Sequence, residues 1–473
     1  MSGQRVVASR VRGRSDVATW KRALTELSAA MGWNAPGGRP FSEVVSPQDR
    51  VLLKPNWVMH QNKGPWGLDP LITAPELVIA VAELVLECGP AELALGDAPL
   101  QGCNIEHVWD YGGIAAWADS ARADGLPVRG PLDFRRTVAR VTGGVLDQST
   151  DRRGWEDYRL VNLGTDSLLE PVTSESHRFR VTQYPPALMR DRHSPGHHQY
   201  LLAADVLQAT VILNLPKLKT HKKAGVTAAL KNLVGINGNK EFLPHHRVGS
   251  PAEGGDCYPR ANPFKRIQEV LYDLQNGIKS VAVRRMLRYP IRALSLLSRY
   301  HRERFGLEGA WSGNDTVWRM SVDLNRALLY ADSDGVMRDV PQRRELHVVD
   351  ASIAGQGDGP LASEPFELGL ALAADEAPAA DWVGARLLGF APERIPIVSG
   401  SFGRFRFPIA SGPANEIQFT FVDGTAVAES DLPLPTRYPE GWLNCVRPQS
   451  PPREVVGTTF GSRRELASQS PSA

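Results

Sequence analysis

Between residues 5 and 98 the strand-length runs RVVAS, RVLLKPNWV and AELALGDAP alternate with VATWKRALTELSAAMG and PELVIAVAELVLECG, whose apolar residues follow helical spacing. Few folds accept that pattern. Strands separated by whole helices pair most simply side by side through crossovers, so the fold class predicted is α/β with a mostly parallel sheet and crossover helices. HVVDASIAG, FELGLALAA, PAADWVGARLLGFA and IPIVSGSFG continue the rhythm towards the C-terminus. With 473 residues the chain is long enough for a large core and more than one domain.

Boundaries follow from where the rhythm breaks. An N-terminal α/β part is expected over 1–142, then a β-rich insertion over 143–200, where WEDYRLVNLG and RFRVTQYPP are short polar and aromatic strands among turns. A lysine-rich strand-turn-helix core follows over 201–277, a basic amphipathic helical segment over 278–312 and a C-terminal α/β part over 313–445. The remainder, 446–473, is rich in Pro, Ser, Arg and Glu and is expected to be a disordered tail.

The lysine-rich core carries the leading functional signal, TVILNLPKLKTHKKAGVTAALKNLVGINGNK at 210–240. TVILNLPKL reads as a buried strand closed by Pro216, followed by a bend with Lys217, Lys219, Thr220, His221, Lys222 and Lys223. Past Gly225, the run VTAALKNLVG is spaced as a helix with Thr227 and Lys231 on one face. A helix opening beyond a strand end presents unpaired N–H groups to anions, and clustered lysines deepen that positive well. A lysine run is ordinarily a solvated face. Interleaving with Pro216, Thr220, His221 and Gly225 favours a site instead, one that Asn232 and Lys240 extend. The expected ligand is an anionic small molecule.

Acid–base candidates come from strand ends, where α/β folds place their chemistry. AELALGDAP delivers Asp97, RVLLKP delivers Lys54 and Asn56 to the same rim, and HVVDASIAGQGDGP offers Asp350 and Asp358. His221, ringed by lysines, is expected to be neutral and to suit a general base. His245, His246 and Asp256 offer ligand chemistry for a divalent metal, although adjacent histidines point in different directions. His193, His197 and His198 form a second group. The four cysteines have no CxxC spacing, so no iron–sulfur cluster is expected. GQGDG lacks the GxGxxG spacing and GxxxxGK[ST] is missing, so neither NAD nor a P-loop nucleotide is expected.

The segment IKSVAVRRMLRYPIRALSLLSRYHRERFG at 278–306 sets Arg285, Arg288, Arg292, Arg299 and Arg302 against Val283, Leu287, Ile291, Leu294 and Leu297 if it is helical, with a kink at Pro290. Most such helices lay the apolar side on their own domain, and that packing is the expectation; contact with an anionic membrane surface is the alternative. A net charge of +2 and a lysine cluster without interleaved aromatics argue against nucleic acid. MSGQRVVASRVRGRSD lacks a signal peptide's apolar core and no run of about 18 apolar residues occurs, so a cytoplasmic, at most membrane-peripheral, location is expected.

With NLPKLKTHKKAGVTAALKNLVGINGNK, GDAPLQGCN, WSGNDTVWRMSVDLNRALLYAD, VVDASIAGQGDGP and AADWVGARLLGFAPERIP occurring in order, the chain resembles the domain of unknown function 362 family over most of residues 50–400. Some members of that family carry a ferredoxin-like CxxCxxCxxxCP module; this chain has none, so their electron-transfer association does not transfer. GNDT and DLNR resemble members found among polysaccharide-biosynthesis genes, which implies a context and not a mechanism; the function expected from the lysine cluster is that of an enzyme acting on a phosphorylated or otherwise anionic small molecule, a sugar phosphate or lipid-linked sugar being the example. In such members a Glu is expected where Gln356 stands, which implies an altered activity if that Glu is catalytic. The alternative function is a non-catalytic, membrane-peripheral assembly factor.

Overall fold

A computed structural model describes residues 4–142, 145–300 and 305–448. Gly143, Arg302 and the expected tail beyond 448 lie outside the described residues. The protein is α/β, built on a ten-stranded, mostly parallel sheet. Its strands are β1 (Arg5–Arg10), β2 (Arg50–Pro55), β3 (Glu92–Asp97), β4 (Val128–Asp133), β5 (Val211–Leu215), β6 (Lys217–His221), β7 (Gly225–Thr227), β8 (Arg344–Asp358), β9 (Ala362–Ala374) and β10 (Gln418–Phe421). The order is β10-β1-β9-β8-β5-β2-β3-β4, with β6 also paired to β8 and β7 paired to β6. β8, β5, β2, β3 and β4 run parallel, whereas β9 is antiparallel to both β8 and β1.

Both faces of the parallel part are covered, which is why VLLKP and VILNL are apolar without alternation. Val51 and Leu53 point into a core formed with the helices Val17–Met31 and Pro75–Leu86 through Leu24, Leu27, Val78 and Val81, while Leu52 points the other way against the helix Val317–Tyr330. Asp16 caps the first helix, accepting the Thr19 N–H at 2.8 Å, and Gly32 ends it with a left-handed φ of 74°. Over 145–200 the chain forms short strands and 3-10 turns. The strand His197–Ala203 pairs with Tyr158–Asn162 and delivers Tyr200 and Leu202 to the second core.

Two local readings change. Residues 217–221 are a strand, not a bend, and the helix expected from Val226 is only Ala229–Asn232, followed by a 3-10 turn. Thr227 pairs with Lys219 across a tight β-hairpin, and that pairing takes the residues the helix would have needed. The second amide of that short helix is already used, since Leu230 N–H donates to Asp381 at 3.1 Å. Asp381 thus occupies the N-terminus of that helix, with the Ala229 N–H also facing its carboxylate. The basic segment is a helix, Val281–Tyr300, with Pro290 inside it, and it packs on the helix Pro263–Gly277. Ile291 is buried and Leu287 and Leu294 are half-buried, but Val283 and Leu297 are exposed, so the expected inward packing of the whole apolar face is not observed.

Candidate functional site

Beyond the carboxyl ends of β2 and β3 a cleft of about 750 Å³ opens. Asn56 enters it from just past β2, Asp97 from the end of β3, Lys219 and His221 from β6, and Thr227 from β7; Lys222, Lys231, Asn232, Lys240 and His245 complete this side. With Lys223, eleven of the residues singled out from sequence therefore share one cavity. Lys54 lies directly beneath, fully buried, with its ammonium 2.7 Å from Asp97. The backbone N–H groups of Trp57 and Ala98 donate to the same carboxylate at 2.7 and 2.8 Å. Gly235 makes room for this pair: a Cβ there would stand 2.0 Å from Asp97 Oδ1 and 2.8 Å from Lys54 Nζ.

A buried amide network supports the floor. Lys219 Nζ donates to Asn56 Oδ1 at 2.7 Å and to the Leu71 carbonyl. Asn56 Nδ2 donates to Asn232 Oδ1 at 2.8 Å, and Asn232 Nδ2 donates to Asn214 Oδ1 at 2.7 Å. Asn214 in turn reaches His347 Nδ1 at 3.2 Å. Networks of this kind fix side-chain geometry because every broken link strands a buried polar group. The lysines at the floor are thus held rather than free to follow a ligand.

Six lysines line the cleft, Lys63, Lys219, Lys222, Lys223, Lys231 and Lys240, against the carboxylates of Asp97 and Glu308. Asp97 is committed to Lys54, and Glu308 sits 3.5 Å from Lys222. The cleft is electropositive. Burial, then the charges of Lys240, Lys223 and Lys54, push Lys231 down to about 7. Burial, then neighbouring Arg135 and Lys54 against the opposing Asp97, push Lys240 to about 8. Lys219 falls well below its ordinary value, from burial and then from Lys217. Among the described residues the Lys231 ammonium has neither a hydrogen bond nor an ion pair, and the buried Thr227 Oγ1 makes no hydrogen bond.

Other candidates fall elsewhere. Lys217 faces away, paired with Asp350 at 2.6 Å and donating to the Ile353 carbonyl, because the β6–β8 register shifts between Lys217 and Lys219. Asp350 is not at a strand end, since β8 continues to Asp358; it also accepts the Ala74 N–H and the Ser352 hydroxyl. Asp358 is exposed and outside the cleft lining, and Thr220 spends its hydroxyl on the Gly357 carbonyl. Gln356 is also outside, its side-chain oxygen accepting the N–H groups of Thr436 and Arg437.

His221 is held well below its ordinary value, first by burial, which the sequence did not foretell, and then by the expected lysines, Lys231 and Lys223. Its Nδ1, however, accepts the backbone N–H groups of Lys223 and Ala224 at 3.0 and 3.1 Å. That places the proton on Nε2, which suits a hydrogen-bond donor and not a general base.

The metal candidates do not converge. His245 lines the cleft, the buried His246 faces a separate small cavity, and Asp256 is tied to Arg247 and the Thr316 hydroxyl. No group of three or more His, Cys, Asp or Glu among the described residues is placed to hold a metal ion. The histidines at 193 and 198 lie together in the 145–200 region, with His198 Nε2 2.9 Å from Glu170. Sequence reasoning missed Lys63, Tyr184, Tyr272 and Glu308 as cleft residues. They come from loops and a remote helix with no local pattern to mark them.

Comparison with known proteins gives two likenesses and a family. A thylakoid-associated protein of Synechocystis is 29% identical over 209 residues, 44% of this chain and 46% of the relative, so the match spans under half of that protein. The crystal structure of a Thermotoga maritima protein aligns with 83% of this chain and 61% of its own at 9% identity and a TM-score of 0.33. The model of the family described as "Domain of unknown function (DUF362)" matches residues 51–148 and 145–386, which include the cleft floor, the lysine cluster and β8. The chain belongs to the DUF362 family.

Proposed function

We propose that the protein is an enzyme acting on a phosphorylated or otherwise anionic small molecule bound in the lysine-lined cleft. The observation that carries this reading is the crowding of cationic side chains at a cavity where only one carboxylate is not already paired with a buried lysine. Ammonium groups that depress one another's proton affinity store an electrostatic penalty, and an anion among them relieves it. Lys223, Lys231 and Lys240 hold the anion, Thr227 Oγ1 and His221 Nε2 donate to it, and Lys231 is the group poised to exchange a proton near neutral pH. A volume of about 750 Å³ suits a sugar phosphate or the head of a lipid-linked sugar.

A non-catalytic, membrane-peripheral assembly factor is the second reading, and the thylakoid association in the name of the Synechocystis relative favours it. It leaves the cleft chemistry without a use. No helix among the described residues is long and apolar enough to cross a membrane.

Isothermal titration calorimetry with pyrophosphate and a hexose 1-phosphate tests the first reading. Wild type is expected to bind at least one of them. Lys231→Met is expected to weaken that binding by roughly tenfold or more, the scale of one hydrogen bond to a charged group, with an unchanged melting curve. Silence of the wild-type protein towards both ligands overturns the reading.

A further inference from the structure

The helical hairpin formed by Pro263–Gly277 and Val281–Tyr300 is built with its polarity reversed. On its first helix Lys265, Gln268, Gln275 and Asn276 are buried, while Ile267, Val270 and Leu274 face solvent. Gln268 Nε2 donates to the Ile291 carbonyl and Gln275 Nε2 to the Arg284 carbonyl, so the polar side is used to join the two helices. On the second helix the outward side carries Met286, Tyr289 and Leu296, exposed by 68%, 75% and 67%. At 100° per residue these fall within one arc together with Ala282, Ala293 and Leu297. A surface of this kind on two adjacent helices exceeds the scattered apolar residues of an ordinary protein exterior.

We propose that this hairpin docks the protein on an anionic lipid bilayer, apolar face down. The charge pattern selects the occupant. Val281–Tyr300 contains five arginines and no acidic residue, and Arg285, Arg292 and Arg299, spaced by seven, follow one edge of the apolar arc with Arg288 beside them. Arginine stems extend along an apolar surface while their heads reach phosphates, the arrangement of a helix lying in a membrane interface. A second copy of the chain would bring the same arginines against each other, so self-association on this face is opposed by its own charge. At 20 residues the helix is about 30 Å long, enough to lie in the headgroup plane. On the inner side of the hairpin Tyr272 lines the cleft, so the docking element also forms part of the cleft wall.

Vesicle co-sedimentation of the full chain tests this. Vesicles of phosphatidylcholine and phosphatidylglycerol in equal parts are expected to carry the protein down, and phosphatidylcholine alone far less. Arg288→Gln, Arg292→Gln and Arg299→Gln together are expected to weaken partitioning by about a hundredfold, each arginine near an anionic surface contributing a factor of about five. Met286→Ser with Leu296→Ser, both exposed and so harmless to folding, is expected to lose binding while the arginines remain. Calorimetric titration of the cleft with pyrophosphate is unaffected by any of these variants, so docking and cleft binding stand or fall separately. Wild-type protein that stays in the supernatant with both vesicles overturns the proposal. A dimer in light scattering that Leu296→Ser converts to monomer, without vesicle binding, assigns the face to a second copy and equally overturns it.

Discussion

Lys54 and Asp97 meet almost without exposure to water, and what such a pair contributes is dominated by the cost of leaving either member alone. Lys54→Met strands a carboxylate held by two backbone N–H groups; Asp97→Asn strands an ammonium whose remaining partners are the Pro55 carbonyl and Asn232. Each single change is therefore expected to lower the unfolding free energy by about 3–5 kcal/mol, and the double change by clearly less than the sum. Urea denaturation of the three variants measures this, and strict additivity would show that the two groups are not coupled. Both residues were legible in the sequence because each closes an apolar strand at its carboxyl end. Their pairing was not. It depends on β2 and β3 lying side by side and on a glycine 138 positions beyond Asp97 standing clear of them.

At the scale of elements, the lysine-rich stretch shows where local pattern gives way. VILNL was read correctly as a strand, but the residues after Pro216, KLKTH, were read as a bend at the strand's end and are instead a second, wholly buried strand. Its partner is β8, some 130 residues away, and a register shift between Lys217 and Lys219 sends one lysine to Asp350 and the other to the cleft. No local period encodes that division. The short helix Ala229–Asn232 likewise depends on a distant residue, Asp381, whose Oδ1 accepts the Leu230 N–H while its buried Oδ2 has no partner among the described residues. Burial raises this carboxyl to about 8, opposed by the N–H groups of Leu230 and Ala229.

A folded-state value above the unfolded value of about 3.9 means that the native protein binds the extra proton between about pH 4 and 8. Stability from Asp381 is thus full below pH 4 and lost as the pH rises to 8. Asp381→Asn does not titrate, so the stability of wild type minus variant is expected to fall across that window and level off above it. Urea midpoints at several pH values give the comparison. Parallel curves for the two proteins would show that Asp381 is ionised throughout.

For the whole molecule, alternation of strand and helix was enough to give an α/β fold with a mostly parallel sheet, since both come from repeating local units. Strand order was beyond it: β1, first in the chain, pairs with β9 and β10 at the opposite edge from β4. That folding pattern gathers lysines from separate parts of the chain around one cavity, and the resulting charge couples stability, pH and ligand. Lys231 at about 7 and Lys240 at about 8 lie below the unfolded value of about 10.4. Between those limits the unfolded chain binds more protons, so the contribution of these groups to stability rises with pH from about 7 to 10. An anion in the cleft acts in the opposite sense because it binds best when both are protonated. Sulfate keeps its charge across this range and so reports the protein's titration alone. Its stabilising effect is expected to be largest below pH 7, where a concentration of a hundred times Kd contributes about 2.7 kcal/mol, and to diminish through pH 8 to 9. Lys231→Met should lose most of that pH dependence while keeping its fold. Melting temperatures with and without sulfate, measured from pH 6 to 9, provide the check; a sulfate effect independent of pH, or one unchanged by Lys231→Met, would separate the lysine cluster from anion binding.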